Sequence, residues 1–309
     1  MKIIFFGTPE FSLKTLEVLN MHHEVALVVT QPDKRKGRGK ILQMTPVKEY
    51  ALKSGIPVFQ PVNVNAAESI SFIREFNPDM AVVVAYGQIL SSHVLDLPKL
   101  GCYNIHASLL PYYRGAAPIN SAIINGETKT GVTIMKMDKG MDTGDILISK
   151  EIPLNYNDTA GLLHDRLAIL GSEAILEAVE ILKNGNASFV SQNESIATYA
   201  PKMTKETGLI DWNKSGEEIR NLVRGLNPWP GAYTYYKGLK MKIWEADYVE
   251  CEATLPCGTF MGMRDGGFLV KTGDGCLSLK RIQFPNKKAM YSDEYARGHI
   301  IEPGAIFGK

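Results

Sequence analysis

From Asn104 to Asp145 the chain reads NIHASLLPYYRGAAPINSAIINGETKTGVTIMKMDKGMDTGD, placing an amide, an imidazole and a carboxylate among prolines and glycines. Asn104 and His106 alternate at the end of the apolar run GCYNIH, so a strand there points both side chains to one face. Asp142 lies in the turn GMDTGD, and only folding can bring it close to them. An amide donor, an imidazole that exchanges protons and an orienting carboxylate are what acyl transfer to a nitrogen requires. Each residue alone has a plainer explanation. A single histidine in an apolar stretch is usually a satisfied core residue, and an aspartate in such a turn bonds its own backbone. Together, with SLLP and YRG following directly, they predict an enzyme site.

The elements that must position these residues are also visible. Short apolar runs IIFF (3–6), VALVV (25–29), MAVVVA (80–85) and CYNI (102–105) alternate with amphipathic segments. Continuous β-branched runs with helices between them indicate strands buried on both faces, hence a parallel sheet. Residues 158–185 predict a long amphipathic helix, opened by Asp158 as N-cap and closed at Gly185. The result is a doubly wound, mostly parallel α/β domain, in which ligands bind beyond the carboxyl ends of the strands. Asn104 and His106 sit at such an end. The first strand runs into GTPEF, so the dinucleotide fingerprint is absent, and no phosphate-loop lysine motif appears.

Further along, residues 193–210 form a mixed polar stretch that reads as a connection between a domain over 1–192 and another over 211–309. A helix in DWNKSGEEIRNLVRGL is followed by five strand patterns: AYTYY, LKMKIWEADYV, CGTFMGM, GFLVKT and CLSLKRIQF. Five short strands in so few residues suggest a small barrel of oligonucleotide-binding type, with a purely structural β-domain nearly as compatible.

Composition narrows the class. At 309 residues, 45% hydrophobic and 22% charged, the chain is an ordinary globular protein of two-domain size. A net charge of +1 excludes a wholesale basic coat, so any polyanion contact must come from arrangement. The four cysteines show no CxxC spacing and no histidine pair beside them, which suggests neither a metal site nor a disulfide framework and fits a reduced cytoplasmic setting. The apolar run at the start is too short for a signal peptide, and none approaches a membrane span.

Arrangement does supply one basic cluster. Lys34, Arg35, Lys36, Arg38 and Lys40 fall within QPDKRKGRGKILQMTPVK (31–48), a segment with no apolar face to bury. Most charge runs are solvated surface. This one follows a strand at the same edge as the candidate site, which favours salt-dependent phosphate contacts with RNA. Arg114 could steer an anion or make an ordinary loop salt bridge. Trp229, between two prolines, reads as packing; Lys287 and Lys288 read as surface. His22, His23, His93, His164 and His299 have no constellation around them.

These motifs carry a resemblance. FFGTPEFS, QPDK with GRGK, NIHASLLPYYRGAAP, DKGMDTGD and DWNKSGEEIRNLVRGLNPWPGAY together resemble the folate-dependent formyltransferases along essentially the whole chain. The basic loop and the NPWPGAY-bearing second domain are similar to the tRNA-acting branch. DKRKGRGK is more basic than that pattern. The resemblance implies a Rossmann-like formyltransferase domain followed by a small barrel. It also implies transfer of formyl from 10-formyltetrahydrofolate to the α-amine of methionyl initiator tRNA, without a metal and in a monomer. It gives Asn104, His106 and Asp142 catalytic roles and assigns Ser108, Leu109, Leu110 and Pro111 to the folate. Lys34, Arg35, Lys36, Arg38 and Lys40 fall to the tRNA. A family member formylating an amino-sugar nucleotide, glycinamide ribonucleotide or another small amine would keep the same catalytic set, as would a hydrolase releasing formate. An RNA-binding protein with an inert α/β platform would not.

Overall fold

The computed structural model describes residues 1–36 and 41–308. They divide into two compact units, one built from residues 1–115, 129–152 and 164–200, the other from 116–128, 153–163 and 201 onward.

In the first unit the elements run β1 (Lys2–Gly7), α1 (Leu13–His22), β2 (Glu24–Val29), β3 (Lys34–Lys36), β4 (Ile41–Gln43), α2 (Pro46–Lys53) and β5 (Val58–Phe59). There follow α3 (Ala67–Glu75), β6 (Met80–Val84), α4 (Ser92–Leu95), β7 (Cys102–His106) and β8 (Arg114–Gly115). After α5 (Pro118–Ile124), which belongs to the second unit, come β9 (Lys129–Lys136), β10 (Ile146–Pro153), α6 (Ala160–Lys183) and β11 (Tyr199–Ala200). Seven strands form one sheet in the order β10-β9-β7-β6-β1-β2-β5. From β5 to β7 every pairing is parallel, and β9 runs antiparallel to β7. The mostly parallel, doubly wound sheet expected from the apolar runs is present.

Burial explains why those runs lack alternation. Ile4, Phe6, Leu27, Val29, Ala81 and Val83 cluster with Ile73 of α3 and with Val94 and Leu95 of α4. Their neighbours in the strands, Ile3, Phe5, Val28 and Val82, are equally inaccessible, so both faces of the sheet are covered. On β7, Ile105 faces α6, where a Cβ on Gly171 would lie 2.8 Å from the Ile105 Cγ2. A glycine there lets the helix seat directly on the strand that carries Asn104 and His106. The start of α6 differs from expectation. Thr159 Oγ1 accepts the Leu162 N–H at 3.3 Å, while Asp158 turns its carboxylate back to the Asn155 N–H at 2.8 Å. Gly185, at φ +71°, follows the helix end as expected.

The second unit contains α7 (Gly216–Gly225), β12 (Ala232–Tyr236), β13 (Leu239–Val249), β14 (Phe260–Arg264), β15 (Gly267–Lys271), β16 (Cys276–Gln283), β17 (Met290–Tyr291) and α8 (Ser292–Ala296). Its antiparallel sheet has the order β12-β13-β16-β15-β14, with β17 beside β16. Ser215 and Glu218 form a capping box that starts α7, and Ile219 and Val223 of that helix enter a core with Trp212, Met241, Ile243, Phe268 and Leu277. The tail connects the two edges of the sheet. Gly304 and Phe307 bond to Phe260 and Gly258 beside β14, while the Gly308 N–H reaches the Tyr235 carbonyl on β12. The five strand patterns therefore make one antiparallel sheet whose edge strands are bridged by the tail.

Two sequence expectations are corrected here. Cys251 and Cys276 form a disulfide, with Cα atoms 5.8 Å apart. The β13–β16 ladder pairs Val249 with Cys276, and a sequence separation of 25 conceals that proximity. Trp229 is 56% exposed rather than packed. Among the described residues no helix is long and apolar enough to cross a membrane.

Candidate active site

β7 ends at His106, and its register with β6 and β9 fixes where the side chains emerge. Asn104 lies opposite Val83 and Met135, and His106 opposite Thr133. Beyond the strand, Thr133 anchors the SLLP segment: its hydroxyl donates to the Ser108 carbonyl at 2.7 Å and accepts the Leu110 N–H at 3.1 Å. Ser108 Oγ donates to the Tyr112 carbonyl at 2.6 Å, closing the loop on itself. Ser108, Leu110 and Pro111 are buried, and Leu109 is half-buried. Of the four residues expected to meet the folate, only Leu109 presents an appreciable side-chain surface.

Asp142 is brought to the strand end from the turn after β9. It adopts φ +56°, and its turn is stabilised by Asp138, which accepts from Gly140 N–H and from Thr143 Oγ. Gly144 has no room for a side chain, because a Cβ there would collide with the Lys136 carbonyl. The Asp142 carboxylate lies between the two strand residues. Its Oδ1 accepts from Asn104 Nδ2 at 3.5 Å, and its Oδ2 is 3.6 Å from His106 Nδ1. Gly115 N–H pins the same Oδ2 at 2.8 Å. The three residues singled out in the sequence thus converge.

The imidazole is oriented from its other side. His106 Nε2 is 2.9 Å from the Tyr113 carbonyl. A carbonyl can only accept, so this contact assigns a hydrogen to Nε2 and leaves Nδ1 to deal with Asp142. At 3.6 Å the Nδ1–Asp142 approach is longer than a hydrogen bond, which leaves the nitrogen available to a reacting group. His106 itself is 5% exposed, while Asn104 and Asp142 are half-buried, so the site opens on their side.

The residues around Arg114 are ones the sequence did not identify. Arg114 is completely buried, with Nε and Nη2 donating to Gln192 Oε1 and with Nη1 and Nη2 donating to Glu194. Hydrogen bonding to Glu194 holds the guanidinium above its ordinary range and draws Glu194 below the usual carboxylate range. Arg114 therefore holds a loop, and no free cation is presented to a substrate. Thr198 accepts the Tyr113 N–H through its hydroxyl and the Arg114 N–H through its carbonyl, and β11 pairs in parallel with β8. These contacts come from SQNESIATYA, whose polar, aperiodic composition gave no hint of them.

The basic cluster is only partly within the described residues. Lys34 and Arg35 are exposed on β3, which continues through Lys36 and pairs antiparallel with β4; Arg38 and Lys40 lie outside the described residues. Ile41 and Leu42, successive residues of β4, are 68% and 63% exposed. Lys287 and Lys288 are exposed. Among the described residues no group of three or more His, Cys, Asp or Glu is placed to hold a metal ion.

An amide, an imidazole and a carboxylate converging at the end of a doubly wound sheet define a group-transfer site, and comparison with known families specifies the group. A family model described as formyl transferase matches residues 1–179, and one described as formyl transferase, C-terminal domain, matches residues 202–300; the chain belongs to the formyl transferase family. A methionyl-tRNA formyltransferase of Clostridioides difficile (strain 630) is 50% identical over 309 residues, covering 100% of both chains. A second, from Ruminiclostridium cellulolyticum, is 49% identical over 313 residues, again covering 100% of both. Among solved structures, the sugar 3N-formyl transferase WlaRD, determined with dTDP and 5-N-formyl-THF, superposes with a TM-score of 0.69. It is 20% identical and aligns over 93% of this chain and 99% of its own, a likeness of fold.

Proposed function

We propose that this protein transfers the formyl group of 10-formyltetrahydrofolate to the α-amine of methionyl initiator tRNA. The observation that carries this reading is the convergence of Asn104, His106 and Asp142 in a chain half identical, end to end, to proteins named methionyl-tRNA formyltransferase. The free amine attacks the formyl carbon, and negative charge develops on the formyl oxygen. The Asn104 amide donates to that oxygen, and so does His106 Nδ1 when it carries a proton, a role that typically accounts for about 2.7–4 kcal/mol per donor. Asp142 faces His106 Nδ1 and sets the direction in which that nitrogen holds a proton. It also stands ready to receive, directly or through water, the proton that the attacking amine loses. The C–N bond to the folate then breaks, and His106 Nδ1, having taken that proton over from Asp142, delivers it to the departing nitrogen.

The rest of the molecule fits the same reading. Just beyond the carboxyl ends of β2 and β6, Gln31 Nε2 and Tyr86 Oη are buried without hydrogen-bond partners, the kind of polar atom a polar heterocycle satisfies. Ser108, Leu109, Leu110 and Pro111 form the folate side of the crevice, with Leu109 as the contact surface. Lys34, Arg35, Lys36, Arg38 and Lys40 meet the phosphates of the acceptor stem. Residues 1–192 carry the chemistry, 193–210 connect, and 211–309 contact the body of the tRNA. The same reading makes the protein a monomer of the cytoplasm.

The test is an incubation with 10-formyltetrahydrofolate and a set of acceptors. Formylation of methionyl initiator tRNA is expected. Formylation of an amino-sugar nucleotide instead, or formate release without an acceptor, would reject the assignment.

A further inference from the structure

Asp142 must keep its carboxylate between His106 and Asn104; Asp138 ties the turn on either side of it through Gly140 and Thr143, and Gly115 pins the carboxylate itself. The backbone of the turn is held from outside by Gln192. The Gln192 Nε2 amide donates to the backbone carbonyls of Asp142 and Gly144, each at 2.8 Å. Its Oε1 accepts from Arg114 Nε at 3.1 Å and from Arg114 Nη2 at 2.8 Å. Both hydrogens of the amide and its oxygen are thereby engaged.

The two ends of this bridge are the two halves of the site. On one side, Arg114 is flanked by Tyr113, whose carbonyl orients His106, and by Gly115, whose N–H pins the Asp142 carboxylate. On the other side lies the backbone of Asp142 itself, held at φ +56°. A residue without glycine's freedom stays in that conformation only where its surroundings hold it. No other single side chain among the described contacts bonds both to Arg114 and to the Asp142 turn. Only a neutral amide does this: it accepts from a guanidinium at one end and donates to two carbonyls at the other.

We infer that Gln192 is a positioning residue for formyl transfer, fixing the Asp142 carboxylate against His106 and Asn104 by fastening the Asp142 turn to the buried Arg114. This rests on the catalytic reading of Asp142 given above. Gln192→Glu is the informative change. It keeps the shape and the acceptor that faces Arg114, removes both donors, and places a carboxylate against two carbonyl oxygens.

The experiment is a double-mutant cycle. Steady-state kcat and KM for both substrates are measured for the wild type, Gln192→Glu, Asp142→Asn and the double variant, with thermal unfolding confirming that each is folded. Displacement of a reacting group is expected to lower kcat of Gln192→Glu by about 10²-fold with KM for the folate and the tRNA unchanged. In the Asp142→Asn background the same change is expected to cause no further loss. A folded Gln192→Glu protein with wild-type kcat overturns the inference, and so does a loss that multiplies in the double variant. Should Asp142→Asn alone retain the wild-type rate, the catalytic role of Asp142 falls, and this inference with it. Where Gln192→Glu does not fold, the uncharged Gln192→Met enters the cycle in its place and is read by the same criteria.

Discussion

Asn104 and His106 share a direction because a strand repeats every second residue, and Asp142 joins them because its turn tolerates a positive φ. All three were legible in the sequence: their chemical types are uncommon among the prolines and glycines around them. Tyr113 was not. Its contribution is a backbone carbonyl, which no side-chain identity announces. Gln192 was hidden for a different reason, since it lies 50 residues from the turn it holds, within a polar stretch without periodicity. The role assigned to Asn104 is measurable alone. Replacing Asn104 by Ala removes one donor from the developing oxyanion and should lower kcat by about 10²–10³-fold. Asn104 is half-buried and its bond to Asp142 is long, so the thermal midpoint should change little. A folded Asn104→Ala protein with wild-type kcat removes the residue from the mechanism.

Among the elements, β7 depends on how closely α6 approaches it. Alanine at position 171 would bring a Cβ to 2.8 Å from Ile105 Cγ2, and Ile105 is only 4% exposed and cannot withdraw. Overpacking of this kind costs about 1–3 kcal/mol, so urea denaturation of Gly171→Ala should show a stability loss in that range. Because Ile105 lies between Asn104 and His106, kcat should fall as well; unchanged stability would show that helix and strand are not in such close contact. A second device secures the amino ends of the strands. Asp79, just before β6, accepts the Lys2 N–H at 2.9 Å and Lys99 Nζ at 3.0 Å. These bonds, with the Lys2 N–H foremost, hold its carboxyl below the usual range. A carboxyl depressed in the folded state stabilises it above the unfolded pKa, near pH 4, and that contribution is lost as pH falls through the folded value. Asp79→Asn should therefore flatten the fall in thermal midpoint below about pH 4. Identical acid limbs for variant and wild type would exclude the contribution. The strands and α6 were readable from hydrophobic pattern, whereas the cap at Thr159 was not, because Asp158 is an equally good capping residue by type.

At the scale of the whole molecule, a net charge of +1 leaves RNA binding to local arrangement. With phosphate contacts made by the β3–β4 segment, Arg35→Ala and Arg38→Ala should each reduce the slope of log affinity against log salt by about one. Unchanged slopes would dismiss the segment from tRNA binding. A second, β-rich part was legible from strand counts and turn spacing, whereas the membership of residues 116–128 and 153–163 in that unit was not. The Cys251–Cys276 pair was not, because partners across a β-ladder need no spacing signature.

The brace formed by Ser191, Gln192, Glu194 and Thr198 also sets an order of assembly on the ribosome. Six of the seven strands of the sheet, with Asn104, His106 and Asp142, are synthesised by residue 145, but the segment that clamps their loops follows some fifty residues later. A nascent chain can thus carry a nearly complete sheet while the Asp142 turn is still unfastened, and those contacts can close only when that later stretch leaves the exit tunnel.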